Sequence, residues 1–455
     1  MRIATLSRIG VITAGAYAVN AIHYGWSPLT KDWIDDFAAW GIAGALIILY
    51  WAGYRTLQQA TRPVSLAVVV LPVIALLAIS FVTIPFDSTD VFQYMSLGWA
   101  EAHYGLNPYT NVLRDIPGIE RDPMSSAAWM ESNKNPWLDL PMVYGFTFAA
   151  FIKAVAWLGQ GNWWLTLALF KFVNVGAFGL TSALIWSLTR VLGQARPDIA
   201  LYLFTWSPLI LLHHIANAHN DLLMGALIVL SVWLLNGKGS IWAPAVLMMA
   251  TMLKYAALPL LPLALIFIVR KEGWGRAMIG AVAAVLSGLL LSLPYWGSIG
   301  RFRFDLIFAQ LSKTTAGSLY ALVYYVYRAT SLGSLETFGS MLKLVIWIVS
   351  LGFVTHAGLQ FWKQKKPTLS SLIATCSVIL FIVIFVASSQ FYSWYIGMFL
   401  PLALLLDAQH WLRQLAVLLG GTHALSLTSL SRKGIGYFIL TTGLALGALR
   451  RARNS

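Results

Sequence analysis

Two aspartates stand where an apolar stretch of the chain gives way to a polar one. Asp87 and Asp90 directly follow the apolar residues 64–84. Solvation of a helix end at a membrane boundary explains Asp87 as readily as catalysis does. We interpret Asp90 as functional, because a carboxylate at the rim of an outer cavity is positioned to act as a general base toward an acceptor hydroxyl. Both aspartates are therefore catalytic candidates.

A second polar cluster is the run HHIANAHND, residues 213–221, which lies between apolar flanks. Polar groups at membrane depth are costly and are usually functional. His219 and Asp221 are metal-ligand types, but their spacing matches no standard zinc pattern, so we assign no metal site. We expect hydrogen bonds to a sugar or a phosphate instead. In that interpretation Asp221 is a second carboxylate, His219 a phosphate ligand and Asn220 a sugar contact.

Three basic residues are candidates for binding a phosphate. Lys254 interrupts the apolar residues 241–269, where its side chain either extends to the surface or holds a phosphate. Arg301 and Arg303 lie in a predicted outer loop, against the usual preference for basic residues in inner loops. Guanidinium groups match phosphate oxygens in geometry, although a solvated loop charge is an equally good explanation.

Aromatic side chains accompany these clusters. Tyr94 and Tyr109 follow the aspartates, and Gln390, Tyr392 and Trp394 lie in the run SSQFYSWY. An aromatic belt at the membrane interface is the ordinary explanation. A stacking surface for a sugar is the alternative, and Gln390 favours it because a belt has no need of an amide.

The composition predicts the elements that position these residues. Hydrophobic residues make up 58% of the 455 residues and charged residues only 11%, with a mean hydropathy of +0.72. A soluble domain carries about a quarter charged residues. Many apolar stretches have the length of a membrane-crossing helix, so we predict an all-α, polytopic integral membrane protein of roughly 11–14 transmembrane helices. We treat residues 1–455 as a single domain in the lipid bilayer, with residues 9–25, which follow the basic segment 1–8, as a retained first span.

The basic residues set the expected orientation. They cluster between apolar segments, as cytoplasmic loops do, so the net charge of +14 indicates no nucleic-acid binding. With the N-terminus inside, residues 85–140 form an extracytoplasmic loop, which holds eight of the chain's 17 acidic residues. We expect short helices in this loop and C-terminal helices over 411–455. The polar tips then reach the same outer face: 213–221, 254–255, 295–317 and 389–394.

The order of these motifs resembles a known family. The run DVFQY (90–94) followed by GLNPY (105–109) is similar to the first outer loop of GT-C glycosyltransferases, and closest to bacterial polyprenyl-phosphomannose-dependent mannosyltransferases. The motifs that follow in the same order are PMVYGF (141–146), AHND (218–221), KYAALPLLPL (254–263) and QFYSWY (390–395). One departure is visible, because Phe146 stands where the family has a proline after Tyr-Gly.

The resemblance implies a GT-C fold and a specific reaction. Such enzymes transfer a hexose from a polyprenyl-phosphate carrier on the outer leaflet of the plasma membrane to a glycolipid or polysaccharide acceptor. The resemblance indicates mannose, and the residues alone leave glucose, galactose or a pentose open. Asp90 matches the acidic residue that activates the acceptor hydroxyl, and the reaction inverts the anomeric centre. Tyr144 becomes a further sugar contact. Arg301, Arg303 and Lys254 would stabilise the leaving phosphate. No cofactor and no divalent metal are implied.

Two other classes of function stay open. A transporter or flippase of lipid-linked sugars would fit the several short apolar segments. However, the sequence shows no internal repeat, and a large acidic outer loop is unusual for that role. A non-catalytic subunit of an envelope polysaccharide machine is the third possibility.

Overall fold

The computed structural model describes residues 2–26, 33–126, 136–311, 313–315, 318–330 and 335–422. Within these ranges the chain is built of helices and connecting turns and contains no β-strand. A helix satisfies its own backbone hydrogen bonds, which apolar surroundings require because they offer no water. The predicted class, an all-α polytopic membrane protein, is confirmed.

The N-terminal half contains eight α-helices, numbered here in chain order. These are α1 (Arg2–Trp26), α2 (Trp33–Gln58), α3 (Leu66–Val82), α4 (Asp90–Tyr104), α5 (Phe146–Gly159), α6 (Trp163–Val191), α7 (Pro197–Thr205) and α8 (Asp221–Asn236).

The C-terminal half adds nine α-helices among the described residues. These are α9 (Ala243–Thr251), α10 (Leu260–Glu272), α11 (Trp274–Ser292), α12 (Phe304–Leu311), α13 (Leu319–Thr330), α14 (Leu335–Lys363), α15 (Leu369–Phe381), α16 (Ile396–Ala403) and α17 (Trp411–Thr422). Of the C-terminal helices expected over 411–455, α17 is described and residues 423–455 lie outside the described part.

Several helices have the length and apolar character needed to cross a bilayer. In the described part of the chain, four pass both criteria: Trp163–Val191, Trp274–Arg301, Thr337–Lys363 and Leu369–Ala387. If a bent pair of shorter helices counts as one span, the number of candidate spans rises to five. Five further apolar helices of the described part have only 10–17 residues, so the total of 11–14 spans stays a prediction.

The bent pair differs from the single segment that hydropathy indicates over 199–213. Helix α7 and the π-helical turn Ile210–Ala216 meet at an angle of 52°. Pro208 lies in the break, and a proline lacks the N–H that would continue a helix. The break turns the following residues away from the helix axis. The polar run 213–221 follows this break, and its His213 and Asn217 contact the segment before α4.

The loop 85–140 carries short helices, as expected. Helix α4 is followed by the 3₁₀ turns Leu113–Asp115 and Pro136–Asp139, and residues 127–135 lie outside the described part. The Asp122 carboxylate ties the loop to α4, because it accepts hydrogen bonds from Trp99 Nε1 at 3.1 Å and the Tyr104 hydroxyl at 2.7 Å. The loop is thus a folded part of the protein that holds α4 in place.

Candidate active site

Residues that are far apart in the sequence line one cavity of about 650 Å³. Its wall is formed by the start of α4, the turns before α5 and after α9, and the segment between α15 and α16. The cavity size is typical of a small-molecule site. Seven of the candidates named from the sequence line it: Asp87, Asp90, Tyr144, Lys254, Gln390, Tyr392 and Trp394.

Asn217 fixes the segment that carries the two aspartates. Its side-chain Oδ1 accepts hydrogen bonds from the backbone N–H groups of Phe86, at 2.7 Å, and Asp87, at 2.9 Å. Its amide nitrogen donates to the Leu212 carbonyl at 2.9 Å. The chain therefore leaves α3 in a fixed direction, and Asp90 falls on the first residue of α4. A carboxylate is favoured there by the helix dipole.

Asp90 is largely enclosed by other side chains. The Tyr94 hydroxyl lies 3.5 Å from Asp90 Oδ2 and 3.0 Å from the Tyr144 hydroxyl. Burial raises the pKa of Asp90 to about 6, against the opposing effects of the Ser88 hydroxyl and the Lys254 charge. Such a carboxylate is a better proton acceptor than an exposed aspartate and is still mostly ionised at neutral pH, which suits a general base.

Lys254 lines the cavity and forms an ion pair with Asp221. Asp221 is fully buried at the start of α8 and does not belong to the described cavity lining. The Lys254 ammonium also lies 4.6 Å from the ring centroid of Tyr395 and 5.4 Å from that of Tyr144. Asp221 thus acts on the cavity through Lys254, whose charge it balances and whose position it holds.

Two buried histidines lie behind the aspartates. His213 Nδ1 is 3.1 Å from Asp87 Oδ2, and His219 Nδ1 is 3.6 Å from Asp90 Oδ2. The His219 ring stacks on Trp394, with centroids 3.9 Å apart, and Trp394 stacks on Tyr392 at 4.6 Å. The Trp394 ring is thus stacked between His219 and Tyr392, and both Trp394 and Tyr392 line the cavity.

The remaining candidates lie outside the cavity lining. Asn220 is buried beside Asp221. Tyr109 is buried against Tyr295 and Phe302, and its hydroxyl donates to the Tyr144 carbonyl at 3.0 Å, so it supports a lining residue.

The two arginines also lie elsewhere. Arg301 is exposed at the end of the 3₁₀ segment Leu293–Arg301, and exposed Arg303 pairs with Asp305. Neither guanidinium reaches the described cavity wall, because the loop turns them outward. Among the described lining residues, Lys254 is the basic one.

Three residues that position the site were not selected from the sequence. His213 and Asn217 belong to the polar run 213–221, and Tyr395 ends the run QFYSWY. The density of polar residues marked both runs as unusual. However, sequence spacing gave no sign that Asn217 would bind the segment before α4, because their contact joins residues about 130 positions apart.

Comparison with known proteins gives an independent result. A family model described as "Alpha-(1->6)-mannopyranosyltransferase, N-terminal domain" matches residues 4–270. Alpha-(1->6)-mannopyranosyltransferase A of Corynebacterium glutamicum is 24% identical over 234 residues, which span 47% of this chain and 45% of that relative. No solved structure matches the chain. Because the family match covers more than half of its residues, this chain belongs to the alpha-(1->6)-mannopyranosyltransferase family.

Proposed function

We propose that this protein is a membrane glycosyltransferase that moves mannose from a polyprenyl-phosphate carrier to an acceptor hydroxyl. The acceptor is a glycolipid or polysaccharide on the outer face of the plasma membrane. The linkage formed is α-(1→6), as the names of the family and of the relative state for those proteins. The observation that carries the proposal is that a carboxylate and a lysine, Asp90 and Lys254, face one cavity in a chain of this family.

The polar and aromatic lining supports a sugar phosphate as the occupant. Tyr392, with Trp394 stacked behind it, offers an aromatic surface for the sugar ring, while Tyr144 and Gln390 offer hydrogen-bonding groups for its hydroxyls. The Lys254 ammonium is a cationic partner for a phosphate oxygen. Trp347, Val383 and Ile384 add apolar wall on the side of α14 and α15. A polyprenyl chain would leave the cavity along that side.

In the proposed reaction the acceptor oxygen attacks the anomeric carbon from the face opposite the phosphate. The new C–O bond forms as the bond between the anomeric carbon and the phosphate oxygen breaks. Asp90 takes the proton of the acceptor hydroxyl. The electron pair leaves with the polyprenyl phosphate, and Lys254 stabilises the charge that develops on the phosphate oxygen. The configuration at the anomeric carbon is inverted.

The first prediction concerns Asp90. The purified full chain is incubated with radiolabelled polyprenyl-phosphate mannose and an envelope glycolipid extract, and linkage analysis is applied to the product. We expect Asp90→Asn to lower transfer by about 10²–10⁴-fold, the usual contribution of a positioned base. Asp305→Asn, an exposed aspartate outside the cavity, serves as the matched control and keeps full activity.

Two results would contradict this assignment. Equal transfer by Asp90→Asn and the unchanged protein would remove Asp90 as the base. Movement of labelled lipid between the leaflets of a vesicle without any sugar transfer would favour a flippase instead of a transferase.

A further inference from the structure

We infer that Asp87, His213 and His219 form a binding site for a divalent transition-metal ion of the zinc class, beside Asp90. The three come from the turn before α4 and from the run 213–221. One ligand atom of each lies within 4.8 Å of the other two. The sequence analysis assigned no metal and noted only His219 and Asp221 as ligand types, but Asp221 is engaged by Lys254.

The geometry suits a small tetrahedral ion. Metal–nitrogen and metal–oxygen bonds of about 2.0–2.1 Å place neighbouring ligand atoms about 3.3 Å apart in a tetrahedron. His213 Nδ1 and Asp87 Oδ2 are 3.1 Å apart, close to that edge. The His219 ligand atom lies within 4.8 Å of both of these atoms. Two imidazoles and one carboxylate favour zinc over magnesium, which prefers oxygen ligands.

His219 supplies a second, independent observation. Its side chain is fully buried, and within the described residues neither ring nitrogen has a hydrogen-bond partner. The contact of Nδ1 with Asp90 Oδ2, at 3.6 Å, is too long for a hydrogen bond. Buried polar atoms in proteins nearly always have a hydrogen-bond partner or a metal ion. The His219 ring is fixed by its stack on Trp394, so its nitrogens keep their positions. A metal ion would supply that partner.

The charges that line the cavity also favour a bound divalent ion. Its described lining contains two carboxylates, Asp87 and Asp90, and one ammonium, Lys254. Asp221 already balances the charge of Lys254. An anionic phosphate donor would therefore approach the carboxylates of Asp87 and Asp90 with no net positive charge beside them, which costs free energy in a low-dielectric site. A divalent ion would neutralise them and leave a fourth coordination position for a phosphate oxygen, a role that rests on the proposed function.

The site is tested by metal binding, which needs no activity. The purified full chain is stripped with a chelator, dialysed against Zn²⁺ and analysed for bound metal, and Co²⁺ is then titrated as a spectroscopic probe. We expect one ion per chain and no displacement by Mg²⁺. Asp87→Asn, His213→Gln and His219→Gln should each weaken Co²⁺ binding at least about tenfold. His356→Gln, an exposed histidine on α14, is the matched control and should bind as the unchanged chain does.

Each outcome decides the proposal. Absence of stoichiometric metal would overturn it and would mean that His213 and Asp87 form a simple histidine–carboxylate pair. Equal binding by His219→Gln and the unchanged chain would also overturn it. If a buried histidine variant does not fold, metal binding by Asp87→Asn tests the site instead. The Asp87 side chain lines the cavity, so its replacement disturbs the core less. Zinc binding without sugar transfer would support the site and refute the proposed function. Sugar transfer by a chain that takes up no metal on dialysis would support the proposed function and overturn the site.

Discussion

At the scale of single residues, the cavity depends on charges that are held by partners outside it. Asp221 is fully buried and Lys254 is nearly so, with 12% of its side chain exposed. Removing two charges from water is costly, and each member of such a pair tolerates burial only because the other is present. Lys254 is therefore held in a fixed position on the cavity wall, and Asp221 is a positioning residue for it.

The second prediction follows from this pair. Lys254→Met leaves Asp221 buried without a counter-charge, and we expect the free energy of unfolding to fall by about 3–5 kcal/mol. The double variant Lys254→Met with Asp221→Asn removes both charges and should recover most of that loss. The measurement is a denaturant titration of the purified chain in detergent. If the double variant is less stable than Lys254→Met alone, the two side chains do not act as a pair.

At the scale of elements, the close packing of α4 on α5 places Asp90. Gly98 lies in the middle of α4, and a Cβ atom there would lie 2.3 Å from the Ile152 carbonyl oxygen of α5. Gly145, just before α5, is equally close to the Met252 carbonyl, 2.3 Å away, in the turn that leads to Lys254. Backbone atoms cannot move aside as side chains do, so both contacts require a residue without a side chain. These two close contacts set the distance between α4, which carries Asp90, and the turn that carries Lys254.

The third prediction tests the packing of α4. Gly98→Ala forces α4 away from α5, and we expect a loss of about 1–3 kcal/mol in the free energy of unfolding, together with lower transfer activity. Gly176→Ala in α6 is the matched control, because nothing lies within 4 Å of the added methyl group. The control should be neutral or more stable, by about 0.4–1 kcal/mol, since alanine restricts the unfolded chain. Thermal unfolding of both variants in detergent gives the comparison. A stable and active Gly98→Ala would contradict the close approach.

At the scale of the whole molecule, the orientation in the membrane decides which compartment the cavity faces. The acidic loop 85–140 and the basic segment between α14 and α15 are predicted to lie on opposite sides. Cys376, the chain's one cysteine, is buried in α15. Replacing Cys376 gives a chain without cysteine. A thiol introduced into that chain then shows, by its labelling, on which side of the membrane it lies.

The fourth prediction uses that background. In Cys376→Ala, we expect Arg121→Cys in the loop to react with a membrane-impermeant thiol reagent added to intact cells. Lys365→Cys, after α14, should react only after the membrane is opened. Both positions are exposed in the fold, so the difference reports the side of the membrane and not burial. Labelling of Lys365→Cys in intact cells, with Arg121→Cys protected, would invert the orientation and exclude an extracytoplasmic cavity.

The sequence by itself determined the class of the protein and the neighbourhood of its site. Long apolar stretches predict helices because lipid offers the backbone no hydrogen-bond partner, and the described helices follow those stretches. Polar residues are costly within apolar segments, so runs such as 213–221 and 389–394 could be recognised as unusual without any coordinates. The order of the motifs was sufficient to identify the family.

Which members of those runs meet depends on how the helices pack and bend. Hydropathy fixes the length of a helix but not its tilt, its bend or the direction of the turn that follows it. The 52° break after α7 carries His213 to Asp87, and the turn after α9 aims Lys254 at Asp221. Arg301 and Arg303, chosen by the same reasoning from charge, lie outside the cavity lining. These contacts join residues more than thirty positions apart, and in the case of His213 and Asp87 more than a hundred. They depend on how helices pack, which no local sequence pattern encodes.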